Sequence, residues 1–332
     1  MKAVLYAGNR RVRIAELPDP TPGPGEVVLR VMASGLCGSE LGSFRGPKAR
    51  EKPAGHELAG VVAEAADGVR LQEGDRVAVQ VIAGCGQCLH CRRGNATLCS
   101  QRRAVSGSEA ERIAVPEFCC LPLPDEVSFD LGVLLAGDAL GVANKLLNRM
   151  AINGDDTVAI FGAGPIGLGM TAVAAFLGGR CLVVEPHAYR RTLAEQLGAI
   201  ATIDPEACDA PTRLRELTDG AGPSVAIVCV GGTDAVLNTA LDVAAGGGRV
   251  GLVGECAEAT IRPGETLIRK SLTLFASWYT NWVEYFELLQ RYRAGLPADK
   301  LITHTFPLDQ AQQAYALFDS GQSGKVMLHP AE

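Results

Sequence analysis

The sequence lacks an excess of positive charge. Its 31 Lys and Arg are outnumbered by 37 Asp and Glu, leaving a net charge of −6. A dedicated nucleic-acid binder needs a clustered positive field, so that class is excluded. The densest basic groups are only pairs, such as Arg10-Arg11, Arg92-Arg93, Arg102-Arg103 and Arg190-Arg191. They read as solvated faces. Long apolar runs are missing too: every stretch is cut by Gly, Pro or charge within about 18 residues, too short for a membrane-spanning helix. The opening MKAVLYAGNRRVRIAEL has no apolar core followed by a small-residue cleavage pattern, so no secretory signal is read there. We therefore expect a cytoplasmic protein. Lasting disulfides are rare in that reducing compartment, and the eleven cysteines are read as ligands or small core residues. Internal repeats and low-complexity tracts are absent as well.

What is present divides into two rhythms. The first third carries short apolar strands, Lys2–Leu5, Arg11–Glu16, Glu26–Ala33, Gly60–Ala65 and Arg76–Val81, separated by Pro and Gly. The turn-rich DPTPGPGE (19–26) and EGD (73–75) punctuate them. This predicts a β-rich domain with irregular loops. Leu131–Met150 reads as helix broken by glycines. From Asp156 onward, apolar strands alternate with helices: VAIFGAG, Ile166–Leu177, CLVVE, then AIVCVGG, Thr233–Ala244, RVGLVG and LTLFAS. That pattern predicts a buried parallel sheet. Helices are expected at Tyr285–Tyr292 and Leu308–Ser320, and a last strand at Lys325–Leu328.

GAGPIG, residues 162–167, follows the strand TVAIF and opens a predicted helix through Pro165 and Ile166. Gly162 permits a tight turn, Gly164 a close approach of a pyrophosphate, and Gly167 close helix–strand packing. The free N–H groups at the helix start then receive the phosphate charge. Glu185 ends CLVVE, 23 residues after Gly162. An acid there accepts the ribose hydroxyls of NAD and repels the additional phosphate of NADP. Arg190 works in the opposite direction. NAD is the expected cofactor, ahead of NADP. Gly231 is a further candidate for a strand end lying close to the cofactor.

Cys85, Cys88, Cys91 and Cys99 fall in GCGQCLHCRRGNATLC, with spacing C-x2-C-x2-C-x7-C. Short spacings turn neighbouring sulfurs to one side of a loop, which suits tetrahedral thiolate coordination. A ferredoxin-type iron–sulfur run also begins C-x2-C-x2-C, but closes with x3-C-P. Here the gap is seven and Ser100 follows Cys99, so zinc is preferred. Four thiolates leave no open position, which makes the site structural. His90 is left out of the ligand set for the same reason.

Taken together, MKAVLY, GLCGSE, AGHELAGVV, the four-cysteine lobe, GAGPIG and SGKVML resemble the zinc-dependent medium-chain alcohol/polyol dehydrogenase family along nearly the whole chain. The resemblance implies an α/β two-domain fold. A GroES-like β-rich catalytic domain (1–145 and 295–332) is interrupted by a Rossmann parallel-sheet, dinucleotide-binding domain (146–294). It implies two zinc ions per chain, a small alcohol or ketone substrate, and a homodimer or homotetramer. Cys37 and His56 match catalytic-zinc ligands. Asp138, in LLAGDALGVA, matches the variable third, and Glu57 is a direct ligand in some polyol-type relatives. Ser39 matches the hydroxyl that contacts the reacting oxygen and takes part in proton transfer. Many members carry a relay histidine where this chain has Gly42, so the proton exit is shortened or runs through water. Glu40 is read as structural. After Cys99 the chain is short, and Glu111-Arg112 departs from the usual glutamate–tyrosine pair. The aromatic stretch FASWYTNWVEYFELL (275–289) is open to two readings, a pocket lining or a subunit contact.

The carboxylate-bearing zinc set points toward hydride transfer between NAD and a secondary alcohol or ketone of a polyol, sugar or cyclitol. Threonine-type or simple secondary-alcohol dehydrogenases are the nearest alternatives. A zinc-stabilised binding protein without catalysis, or a zinc-free reductase on the same scaffold, is the rival of another class, and metal content separates these from the dehydrogenase.

Overall fold

The computed structural model describes residues 1–330. The chain divides into two compact units. One comprises Met1–Gly141, Tyr279–Gln290 and Ile302–Glu332; the other comprises Val142–Trp278 and Arg291–Leu301.

The first unit is built on a seven-stranded sheet. Its order runs Ile302–Pro307, Lys325–His329, Glu26–Gly35, Glu57–Ala65, Arg76–Val79, Cys120–Pro122, with Arg112–Pro116 also paired to Glu26–Gly35. All neighbours are antiparallel except the first pair. Alternation of side chains sends Val27, Leu29, Val31, Leu58, Val62, Val77 and Val79 into one core. A second core gathers Val4, Tyr6, Leu36, Phe44, Tyr315 and Phe318. The strand at 57 begins earlier than local pattern alone indicates, because Glu57 is drawn into pairing with Gly35.

The segment read as one interrupted helix is two. Phe129–Ala136 is capped by the Ser128 hydroxyl, which accepts the Leu131 N–H, and Asp138–Met150 follows directly. Gly137 between them is extended (φ −100, ψ −167). The helix expected from Tyr285 starts one turn earlier, at Trp282, and runs to Arg293. The C-terminal helix is Ala311–Asp319, preceded by a 3-10 turn at Leu308–Gln310.

The second unit is a six-stranded, all-parallel sheet. Its strands are Thr157–Phe161, Arg180–Val184, Ala199–Ile203, Val225–Val228, Arg249–Leu252 and Thr273–Ala276, arranged in the order 3-2-1-4-5-6. The order reverses between Thr157–Phe161 and Val225–Val228. In such sheets a ligand binds beyond the C-terminal strand ends at that reversal. The central strands are apolar on both faces and nearly fully buried, as a sheet covered by helices requires. The expected combination of a β-rich domain with a nucleotide-type parallel sheet is the architecture the chain adopts. Among the described residues no helix is long and apolar enough to cross a membrane.

Candidate metal and nucleotide sites

The first cluster forms where three pieces of the first unit end. Cys37 precedes a short 3-10 turn, Gly38–Glu40, and Glu40 reaches back to accept the Cys37 N–H at 3.0 Å. His56 and Glu57 stand at the start of the strand Glu57–Ala65. Asp138 opens the helix Asp138–Met150, where a negative charge is favoured by the helix dipole. One ligand atom from each of Cys37, His56, Glu57 and Asp138 lies within 4.8 Å of all the others. Asp138 Oδ2 is 3.2 Å from Cys37 Sγ and 3.3 Å from His56 Nε2. The other ring nitrogen, Nδ1, is 2.9 Å from Glu40 Oε1. A carboxylate behind the outer nitrogen fixes the tautomer that presents Nε2.

The electrostatics of this cluster call for a cation. Burial pushes the His56 pKa down, but the hydrogen bonds with Asp138, Cys37 and Glu40 outweigh it, and the net shift is upward. The ring is held among negative groups. Burial opposes the charged form of Asp138, yet His56, Cys37 and Lys325 leave its pKa lowered. Burial and the Asp138 charge push the Cys37 thiol up to about 11. A bound metal reverses that last effect, because a coordinating thiol gives up its proton. Glu57 Oε2 is buried with no hydrogen-bond partner. An orphaned carboxylate oxygen among S, N and O donors fits a divalent ion of zinc's type.

Lys325 is the residue that pattern reading passed over. Its Nζ lies 2.6 Å from Glu57 Oε1, with both side chains essentially inaccessible (1% and 0% exposed). Ser39 is exposed, one residue before buried Glu40, and Gly42 is also exposed.

The second cluster is the lobe of Cys85, Cys88, Cys91 and Cys99, whose sulfurs also gather within 4.8 Å. Backbone N–H groups point at the sulfurs: Cys85 and Gln101 to Cys99 Sγ, and Cys88 to Cys85 Sγ, each at 3.4 Å. N–H donors from Gln87 and Cys88 bring the Cys85 thiol down to about 6, whereas burial pushes Cys91 up to about 12. The Cys88 and Cys91 sulfurs are 3.6 Å apart, a non-bonded spacing. Four thiol groups converging without bonding to each other suit a closed tetrahedral metal site.

In the second unit, Gly162 takes φ 93 and Gly164 caps the helix Pro165–Phe176. The N–H of Gly162 donates to Val184 O at 2.8 Å, fastening the turn to the next strand. A side chain at Gly167 would place its Cβ 1.8 Å from Gly162 O. Glu185 is buried, and its two oxygens accept backbone N–H groups from Ala163 (2.7 Å) and His187 (3.0 Å). It braces the glycine turn directly. Arg190 is close enough for the Glu185 charge to raise its pKa, although burial lowers it more. Gly231 packs against the backbone of Glu255.

A further buried polar chain escaped sequence reasoning. Tyr315 donates to Glu109 Oε1 at 2.7 Å and shares a 3.0 Å hydrogen bond with Tyr6, while Glu109 Oε2 has no partner.

Comparison with known proteins finds two family models in the chain. The alcohol dehydrogenase GroES-like domain matches residues 23–125, and the zinc-binding dehydrogenase domain matches residues 165–294. An L-threonine 3-dehydrogenase of Pyrococcus horikoshii is 33% identical, covering 95% of this chain and 94% of its own. A sorbitol dehydrogenase of Halalkalibacterium halodurans is 29% identical over the full length of both. The alcohol dehydrogenase TADH from Thermus sp. ATN1 superposes with a TM-score of 0.90 at 30% identity, covering 99% of each chain.

Proposed function

Because the chain belongs to the zinc-binding, GroES-like alcohol dehydrogenase family, we propose that it is a zinc-dependent, NAD-linked oxidoreductase of secondary alcohols and ketones. The observation that carries this reading is the Cys37–His56–Glu57–Asp138 cluster, with its orphaned Glu57 oxygen. Zinc held by Cys37, His56 and Asp138 would supply a Lewis acid for the substrate oxygen, and NAD at the Gly162–Gly167 turn would supply the hydride acceptor.

The chain's own groups have distinct tasks. Glu40 holds Nδ1 of His56 and the Cys37 backbone together, so both ligands move as one piece. The Ser39 hydroxyl takes the proton of the substrate alcohol on Oγ and passes its own onward. With Gly42 in place of an imidazole and Ser39 exposed, that proton is handed to solvent. The pyrophosphate of NAD is received by the helix start at Pro165 and Ile166. Glu185, anchored to Ala163 and His187, keeps acceptor lone pairs for a ribose hydroxyl and disfavours the phosphate of NADP.

For the substrate we favour a polyol, sugar or cyclitol. One thiolate with a carboxylate in place of a second makes a harder, more oxygen-rich centre than a two-thiolate one, and a relative named for sorbitol spans the whole chain. The threonine-type reading has its own support in the 33% identity to a threonine dehydrogenase. A second copy of the chain is the expected partner. The edge strand Thr273–Ala276 has one open side, and Leu274 and Trp278 are exposed (42% and 46%). A cytoplasmic setting suits the lobe, whose thiols must stay reduced to hold an ion.

The test is a panel of polyols, aminocyclitols, sugars, amino alcohols and simple secondary alcohols with NAD or NADP, followed by nicotinamide absorbance. It is paired with metal content. Two zinc ions per chain and NAD-linked turnover on a hydroxylated substrate support the reading. A single ion, unaffected by Cys37→Ser, overturns it.

A further inference from the structure

Arg30 sits on the central strand Glu26–Gly35. Its neighbours Leu29 and Val31 enter the core, so its own side chain leaves by the other face. Directly opposite it on the strand Arg112–Pro116 is Arg112, and on its other side is Val61 of the strand Glu57–Ala65. Two guanidinium groups therefore stand side by side, a placement that by itself opposes folding. Arg112 has Glu64 and Asp19 nearby, each at 3.5 Å. Both separations exceed the ~2.7–2.9 Å of a tight charged hydrogen bond. A recess of about 400 Å³ opens at this row, with Arg30, Arg112, Glu64 and Glu73 as its charged lining and Val61 and Ala63 among its apolar lining. The chain builds the recess. Val28 faces Glu64 while Leu29 faces Val62, so Ala63 is an extra residue, and a bulge of that kind bends its strand. The turn that carries Glu73 is fastened there: the Val62 N–H donates to Asp75 O and the Gly74 N–H to Val62 O, both at 2.9 Å.

The charges say what the recess can hold. Among the described residues neither Arg30 nor Glu73 has an ion-pair or side-chain hydrogen-bond partner, although both line the same space. The two arginines and two glutamates of the lining cancel, so the recess has no net attraction for a simple ion. An anion drawn to Arg30 also meets Glu64 and Glu73, and a cation drawn to Glu73 also meets Arg30 and Arg112. A zwitterion meets neither penalty. Its carboxylate accepts two N–H groups from the Arg30 fork, and its ammonium donates to Glu73. The volume is in the range of small-molecule pockets, and the Val61 and Ala63 side chains offer an apolar wall to a small aliphatic group.

We propose that this recess is a binding site for a free α-amino acid, with Arg30 holding its carboxylate and Glu73 its ammonium. None of the lining residues belongs to either metal-type cluster, so the site is separate from the proposed chemistry of the chain. The departure at Arg112 from the usual tyrosine supplies the second guanidinium of the row.

The experiment is calorimetric titration of the full-length, zinc-loaded protein, without nicotinamide cofactor, with L-valine, which has no hydroxyl to react as an alcohol. Isovalerate, which lacks the ammonium, L-valinamide, which lacks the carboxylate, and inorganic phosphate are titrated beside it. Valine binds saturably at millimolar concentrations, and isovalerate and valinamide bind about tenfold more weakly, the scale of one lost charged hydrogen bond. Phosphate does not displace valine. Arg30→Ala and Glu73→Gln each weaken valine binding about tenfold. Both side chains are exposed, so both variants melt with the wild type, and either one alone decides the question should the other not fold. The proposal is overturned if valine gives no saturable heat, or if isovalerate or phosphate binds as tightly as valine, which makes the recess a plain anion site. It is equally overturned if valine binding is unchanged in Arg30→Ala or in Glu73→Gln, which places the amino acid elsewhere, as on an exposed metal ion.

Discussion

Two glycines of the nucleotide turn, three residues apart, should respond differently to the same substitution: one loses stability and binding, the other binding alone. At Gly167 a methyl carbon would sit 1.8 Å from the carbonyl oxygen of Gly162. Real Cβ contacts do not fall below 3.0 Å, so the helix must back away from the turn by more than about an ångström. The obstacle is backbone, and no rotamer relieves it. Gly162 cannot yield easily either, since its φ of 93 and its hydrogen bond to Val184 O fix the turn. Overpacking of this kind costs about 1–3 kcal/mol, and at about 2–4 °C per kcal/mol the melting temperature of Gly167→Ala falls by about 2–12 °C. Dinucleotide affinity falls at least tenfold, because about 1.4 kcal/mol of lost phosphate contact is a factor of ten. Gly164 is different. Its φ is −66 and a Cβ there meets nothing within 4 Å. Gly164→Ala leaves the melting temperature unchanged, yet weakens dinucleotide binding, since the open space is where the pyrophosphate approaches. Thermal denaturation and a fluorescence titration with NADH read both quantities. A Gly167→Ala protein that melts and binds like wild type refutes the packing argument. A Gly164→Ala protein with full affinity refutes the placement of the phosphate.

Other perturbations separate the remaining parts. Glu109 is completely buried, and burial, followed by the Glu40 charge, holds its pKa well above the usual carboxylate range. The folded chain therefore keeps a proton that the unfolded chain releases, and stability declines as pH rises from the ordinary carboxylate pKa toward the folded one. Glu109→Gln should melt several degrees above wild type at pH 8, with the gain shrinking toward pH 4; equal melting curves at pH 8 contradict this. Cys88→Ser should lose one of two zinc ions by elemental analysis and lower the melting temperature, while the ion assigned to Cys37, His56 and Asp138 is retained. Ser39→Ala should reduce turnover by about 10²–10⁴ with the metal content intact; full turnover removes Ser39 from the proton path. Glu185→Ala loses two backbone braces and the phosphate repulsion together, so NAD binding weakens and the NAD-to-NADP affinity ratio drops toward one.

The parts of this molecule legible in its sequence are those written in local pattern. The alternation of apolar strands and helices after Asp156 marked out the parallel sheet, and the C-x2-C-x2-C-x7-C spacing closes on itself within a single loop. GAGPIG needs only its own strand and helix to be interpretable. What escaped depends on residues distant in the chain. Lys325 looks like the polar first residue of an apolar strand, and only the pairing of that strand beside Glu26–Gly35 carries it to Glu57, 268 positions earlier. Tyr6, Glu109 and Tyr315 are separated by up to 309 positions and meet only through folding. Glu185 shows a subtler limit. Its place at a strand end is visible in CLVVE, but the turning of its carboxylate onto the Ala163 and His187 N–H groups follows from its longer side chain in a crowded turn. A usable signal did exist for Lys325. A lone lysine between Gly324 and VML has no local reason to be buried, and a buried lysine demands a carboxylate. In a sheet where Gly35 lies between the two strands, Glu57 is the carboxylate within reach. One buried charge beside the metal-type cluster therefore comes from the far end of the chain, which no local pattern in the sequence displays.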